Sequence, residues 1–239
     1  MLQNATLKEL QNEIKRRESC LQQPKNNIIL LGAPGSGKGT QSGFITDKFC
    51  YCQISTGDLL RENIEKKTKT GLKAKEYMDK GALVPDELVN EVLLNAINSP
   101  SCERGAIFDG YPRNLTQAEN LDKLLGSVGR RLDKVIELKV NEEILIERIS
   151  GRRIHPKSGR SYHIKFNPPK VEGFDDVTGE QLVQRPDDNV ETLKSRLDVY
   201  NQKTYPISSY YQKKNLLKTV DAMQNIDKIA NQVSDLLKH

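Results

Sequence analysis

Ile28-Ile29-Leu30-Leu31-Gly32-Ala33-Pro34-Gly35-Ser36-Gly37-Lys38-Gly39-Thr40 decides the fold. An apolar run feeds a glycine loop, and a helical pattern opens near Gly37. Glycines let the backbone curl with its N–H groups inward, a helix N-terminus adds partial positive charge, and a lysine at the seventh place reaches terminal phosphates. Gly32 to Lys38 therefore reads as a cradle for a nucleoside triphosphate. A glycine turn alone could be a tight connection between strand and helix. Four glycines, a lysine and a preceding apolar strand together point to the cradle. The position after Lys38 is Gly39 rather than a hydroxyl residue, with Thr40 one place later, which weakens the case for metal ligation by that hydroxyl.

The chain has 239 residues, 36% hydrophobic and 29% charged, with a formal net charge of +5. That length buries a substantial core, as one large α/β domain or as a core with insertions. No run of roughly 18 apolar residues exists, so a membrane span is not expected. The modest basic excess suits nucleic acid or anionic nucleotides equally. Cys20, Cys50, Cys52 and Cys102 have neither paired metal-ligand spacing nor the density of a disulfide scaffold, so reduced, mostly buried thiols are expected.

Leu7, Leu10, Ile14 and Leu21 recur at helical intervals, so residues 5–21 read as an amphipathic helix, either docked or frayed, in an N-terminal extension of residues 1–26. Glu9, Glu13 and Glu18 argue against a mitochondrial presequence, and a secretory apolar stretch is not seen there. Further on, Gln53 to Asp58 reads as a short extended segment ending at a helix cap, and residues 55–84 as a helical insertion between the first and second core strands. Gly105 to Asp109 is a buried strand ending in a carboxylate, the arrangement that holds Mg²⁺ beside such a loop. Val135 to Val140 is a third strand, and the helix after it delivers Arg148 and Arg152.

Residues 151–188 carry four glycines, four prolines and Tyr162, Phe166 and Phe174, which predicts a small β-rich lid. His155 and Ser158 are two residues apart, and so are Asp175 and Thr178 after a gap of sixteen. That is zinc-ribbon spacing with the wrong ligands, so a hydrogen-bonded polar cluster is expected and structural zinc is not. Asp187-Asp188-Asn189 caps a helix over 189–204, a second helical stretch follows Pro206, and Leu217 to Asp221 is the last strand before a closing helix. Alternating strands and helices predict a three-layer α/β core with a parallel sheet, formed by residues 27–54, 85–150 and 189–239, with ligands at the C-terminal strand ends.

Six segments in order, GAPGSGKGTQ, QISTGDLLR, FDGYPRNLTQAE, GRRIHPKSGRSYHIKFNPPK, DDVTGE and RPDDN, resemble the adenylate kinase family in its long-lid form, over about residues 27 to 238. The resemblance leaves the N-terminal extension outside. It implies reversible Mg²⁺-dependent transfer of the ATP γ-phosphoryl group to AMP, giving two ADP. It further implies that Gly35, Ser36, Gly37, Lys38, Gly39 and Thr40 cradle ATP phosphates, with Arg148, Arg152, Ser161, Tyr162 and Gln224 at further ATP positions. Thr56, Arg61, Ala82, Leu83, Val84, Gly110, Tyr111, Pro112, Arg113 and Gln117 fall at AMP positions. Arg185 and Arg196 match arginines that touch transferring phosphates, and Asp109 matches the residue that holds magnesium through water. Lys38, Arg113, Arg148, Arg152, Arg185 and Arg196 are thus the expected catalytic set. The resembled family suggests a monomer in the cytoplasm, or in the mitochondrial intermembrane space, working without nucleic acid or membrane. Two alternatives stay open: another nucleoside monophosphate kinase of UMP/CMP or GTP:AMP type, and a non-catalytic nucleotide sensor.

Overall fold

The computed structural model describes residues 6–238; residues 1–5 of the expected extension, including the first residue of its helix, lie outside the described residues. In chain order the elements are α1 (Leu7–Leu21), β1 (Asn26–Leu31), α2 (Lys38–Phe49), β2 (Cys52–Ser55), α3 (Thr56–Glu65), α4 (Lys69–Asp79), α5 (Asp86–Ile97) and β3 (Gly105–Asp109). Then follow α6 (Leu115–Ser127), β4 (Lys134–Lys139), α7 (Glu142–Ser150), β5 (Arg152–Ile154), β6 (Ser161–His163), α8 (Val190–Val199), α9 (Pro206–Lys213), β7 (Leu217–Asp221) and α10 (Ile226–Lys238).

Five strands form one parallel sheet in the order β2-β3-β1-β4-β7. β1 lies at its centre, and all its residues after Asn26 are buried. That is why its sequence is continuously apolar: a parallel sheet is covered on both faces. Alternation still sorts the side chains. Ile29 and Leu31 join the cluster under α3 to α6 and α9, whereas Ile28 and Leu30 join the one under α2 and α10. Every strand points its C-terminal end to the same edge, so the loop after β1 and Asp109 at the end of β3 meet there.

The sequence reading needs four corrections. First, Cys52–Ser55 is a true edge strand paired with β3, so the helical insertion lies between the second and third strands and Lys134–Lys139 is the fourth. A four-residue strand is too short for its period to register in sequence. Second, the α-helix from Val190 ends at Val199 and continues to Thr204 as a π-helical turn. Third, the lid has two three-residue strands and three isolated bridges, so its β content is sparse.

Fourth, the expected reduced thiols are two disulfides, Cys20–Cys50 and Cys52–Cys102, with Cα atoms 5.7 and 4.8 Å apart. Sequence separations of 30 and 50 hide both pairs, because only the fold brings their elements together. The first also resolves the extension, which is docked rather than frayed. Thr6 and Glu9 form a reciprocal capping box at the start of α1. Arg16 reaches the Asp47 carbonyl and Cys50 Sγ, and Arg104 donates to the carbonyls of Cys20 and Gln23.

Candidate functional site

The loop after β1 turns into α2 through Gly35 and Gly37, at φ +83° and +96°. Side chains rarely adopt that left-handed region, so glycine is required where the loop must curl. Lys38, the first residue of α2, folds back so that its Nζ donates to the carbonyls of Gly32 (2.8 Å) and Ala33 (3.0 Å). Burial lowers its pKa to about 8, against the opposing pull of Asp109 and with help from Arg113, Arg196 and Arg152. Ser36 Oγ is buried without a hydrogen-bond partner in the same loop, leaving a free donor at the cradle.

A cavity of about 640 Å³ opens above the cradle. Its walls include Gly35 to Thr40, Asp109, Arg148, Arg152, Ser161, Tyr162, Arg185 and Gln224, so the whole expected ATP set converges on one space. Arg148 leans toward the Phe166 ring, 6.0 Å from its centroid, and donates to the Ala222 carbonyl at 2.9 Å. A second cavity of about 60 Å³ is lined by Thr56, Ala82, Val84 and Gln117. Arg61, Leu83, Gly110, Arg113 and Arg196 line both, so the two spaces share a wall. Tyr111 and Pro112, joined by a cis peptide bond, face the larger one.

The polar groups of the smaller cavity are tightly arranged. Thr56 Oγ1 donates to the Gly110 carbonyl at 2.9 Å, and Arg113 Nε donates to the same oxygen at 2.7 Å. Burial, then Arg61, lowers the Arg113 pKa. Gln117, buried under the first turn of α6, accepts from the Arg113 backbone N–H and donates to Asp86.

Three carboxylates that the sequence reading did not assign to the site hold four of the arginines. Asp58 pairs with Arg61 and Arg185, Asp187 with Arg196 (2.9 Å) and Arg61 (3.8 Å), and Asp188 with Arg152 through Nε at 2.8 Å and through Nη2. Burial lowers Arg185 and Arg196 to about 10 in each case, so both remain charged at neutral pH. Burial pushes Asp58 up, but Arg185 and Arg61 outweigh it and hold it low. The available signal was Asp187-Asp188 beside Arg185, which reads locally as a helix cap.

The four lid residues at zinc-like spacing do meet, next to the larger cavity, which Tyr162 lines. His155 Nδ1 lies 2.7 Å from Ser158 Oγ, and Thr178 Oγ1 donates to Asp175 at 2.9 Å. Asp175 is the hub. Arg160 grips it through two nitrogens at 2.8 and 2.6 Å, and Tyr162 donates to it at 2.9 Å. The Arg160 bonds lead in holding its pKa far below the usual carboxylate range. Glu180 adds a contact to His155 Nε2 at 2.8 Å. Arg160, Tyr162 and Glu180 complete a cluster of which the spacing gave only four members. Among the described residues, no group of three or more His, Cys, Asp or Glu side chains could hold a metal ion.

Asp109, at the end of β3, lines the larger cavity together with the glycine loop, and Gln53 Nε2 lies 3.4 Å from it. One carboxylate suits Mg²⁺, which keeps most of its waters and takes its other ligands from phosphates. The residues present fit that ion.

A family model described as adenylate kinase matches residues 30–216. Adenylate kinase 4 of Oryza sativa subsp. japonica is 48% identical over 236 residues, covering 99% of this chain and 97% of that protein. Adenylate kinase 4 of Arabidopsis thaliana is 48% identical over 236 residues, 99% of this chain and 96% of that one. An adenylate kinase of Kluyveromyces lactis is 50% identical over 198 residues, 82% of this chain and 87% of that one. The two plant proteins align across the N-terminal extension as well, which the motif resemblance had left outside.

Proposed function

We propose the following division of labour on the premise that the chain belongs to the adenylate kinase family. The reaction is phosphoryl transfer between ATP and AMP, and neither the pyrimidine-kinase nor the sensor alternative is favoured. An AMP phosphate oxygen attacks the γ-phosphorus in line, a new P–O bond forms, and the bond to the ADP oxygen breaks. The attacking AMP oxygen is already anionic, so the protein needs no base; its task is alignment and charge neutralisation.

Lys38 and the loop N–H groups hold the ATP phosphates, with Arg148, Ser161, Tyr162 and Gln224 around the rest of that nucleotide. Arg113, Arg152, Arg185 and Arg196 surround the transferring group. Thr56, Arg61, residues 82–84, Gly110 to Pro112 and Gln117 receive AMP. The observation that carries this reading is the convergence of Lys38 and six arginines from separate elements on two adjoining cavities. Asp109 would meet Mg²⁺ through water, and the ion would supply charge neutralisation at the phosphates. Residues 55–84 and 151–188 act as the two covers that exclude water.

The lid is held by its hydrogen-bonded network rather than by zinc. One tightly held zinc per chain in elemental analysis would overturn that assignment. The chain works as a monomer. Its two disulfides favour a compartment more oxidising than the cytosol, such as the intermembrane space, over the cytoplasmic expectation. Thiol labelling of the protein as it exists in cells tests this choice. The main test is catalytic efficiency with AMP, GMP, CMP and UMP at saturating MgATP: AMP leads, and UMP or CMP matching it would refute the acceptor assignment.

A further inference from the structure

Gln117 lines the smaller cavity with both ends of its amide already committed. Its Oε1 accepts the Arg113 backbone N–H at 2.7 Å, and its Nε2 donates to Asp86 Oδ1 at 2.5 Å. These partners have opposite character. A backbone N–H only donates and a carboxylate only accepts, so turning the amide over would set donor against donor and acceptor against acceptor. The amide therefore has one permitted orientation. Asp86 is braced in turn by Asn114, whose Nδ2 lies 3.2 and 3.4 Å from its two oxygens, while Asn114 Oδ1 caps α6 through the Gln117 N–H at 2.8 Å.

A primary amide has two hydrogens and two lone pairs, so one N–H and one lone pair of Gln117 remain for a base. With the side chain fixed, the order in which they meet the base is fixed too. Adenine presents a ring acceptor beside an amino donor. A 6-oxopurine presents a ring N–H beside a carbonyl, the reverse order. A free glutamine would turn to suit either, and Gln117 alone would then discriminate weakly.

We propose that Asp86 is a specificity-determining positioning residue, which locks the Gln117 amide in the order that accepts adenine and refuses 6-oxopurines. This rests on the acceptor reading given above. Asp86 also lies in the first turn of α5, where a carboxylate favours the helix dipole. That role is purely electrostatic, and loss of the charge by any substitution removes it. The lock needs only an acceptor oxygen in the same place, because Gln117 and Asn114 both approach Oδ1.

The probes are AMP and IMP, which differ at this edge and carry no extra amino group. Catalytic efficiency is measured for both at saturating MgATP, with thermal midpoints, in the parent, Asp86→Ala, Asp86→Asn, Asp86→Ser and Gln117→Ala. We expect the AMP-to-IMP ratio to fall about tenfold in Asp86→Ala, mostly through better use of IMP, and to stay within about threefold of the parent in Asp86→Asn. Asp86→Ser, whose hydroxyl is too short to reach, should follow Asp86→Ala and serves if that variant does not fold. Equal ratios in Asp86→Ala and the parent, with a collapsed ratio in Gln117→Ala, would overturn the lock and leave the acceptor reading standing. Equal losses in Asp86→Ala and Asp86→Asn would assign Asp86 to the dipole alone. An unchanged ratio in Gln117→Ala would remove the base-reading role of Gln117 and the proposal with it.

Discussion

Lys38 and the arginines face the same cavity but are held in opposite ways. Lys38 spends its hydrogen bonds on two carbonyls of its own loop, within six residues in sequence. Arg61, Arg152, Arg185 and Arg196 are bound to Asp58, Asp187 and Asp188, up to 127 residues away. The cradle is thus complete within one strand, loop and helix. The arginine cluster draws on α3, the lid and α8, and on the proposed reading its cations trade carboxylates for phosphates. On the proposed reading, a preformed cradle stands beside an exchangeable set of arginines.

The strongest way to break this contrast is Lys38→Ala. Turnover should drop by two orders of magnitude or more, at least about 3 kcal/mol of transition-state stabilisation, with no fall in the thermal midpoint. Retention of a tenth of parent activity would end the preformed role. Asp188→Asn tests the other side. Its carboxylate is fully buried against Arg152, so the change strands a guanidinium and should cost about 3 kcal/mol in chemical denaturation. A loss under about 1 kcal/mol would show that Arg152 repairs itself with other partners.

Next comes pH. Lys38 loses its proton as pH rises through about 8, whereas Arg185 and Arg196 hold theirs to about 10. kcat/KM for MgATP, which reports the free enzyme, should therefore fall about tenfold per unit above pH 8 through the lysine alone. Stability moves the opposite way. The unfolded lysine titrates near 10.4, so the cost of burying its charge is full below pH 8 and fades between about pH 8 and 10. A flat kcat/KM profile to pH 9.5 would contradict the assignment. The smallest effect belongs to Asp58→Asn, since Asp58 is partly exposed. Its ion pairs should be worth under about 1 kcal/mol of stability, and freeing Arg61 and Arg185 should lower KM for AMP two- to threefold.

The same contrast explains what could be read from the sequence. Ile28 to Thr40 was legible because each residue acts on its chain neighbours. Asp109 was legible as the carboxylate that ends a buried strand, whereas Arg113, in the loop after it, and Gln117, in the first turn of α6, came only from the motif resemblance. Asp188 was visible only as a helix cap, because its pairing with Arg152 spans 36 residues. The lid spacing exposed His155, Ser158, Asp175 and Thr178, while Arg160, the strongest partner of Asp175, follows no ligand pattern. Cys50 and Cys52 looked like spare thiols because their partners arrive from α1 and from the turn before β3.

Those disulfides also divide the polypeptide into loops in a way that geometry alone does not convey. Cys20–Cys50 closes a covalent ring around β1, the cradle and α2, and Cys52–Cys102 closes a second around α3, α4 and α5; only Tyr51 lies between them. The lid belongs to neither ring. A protease cut at the exposed turn of Lys66 and Lys67 leaves two pieces that migrate as one until reductant is added. A cut beside exposed Lys170 yields pieces that separate in denaturant at once, so residues 55–84 are tethered against scission and residues 151–188 are not.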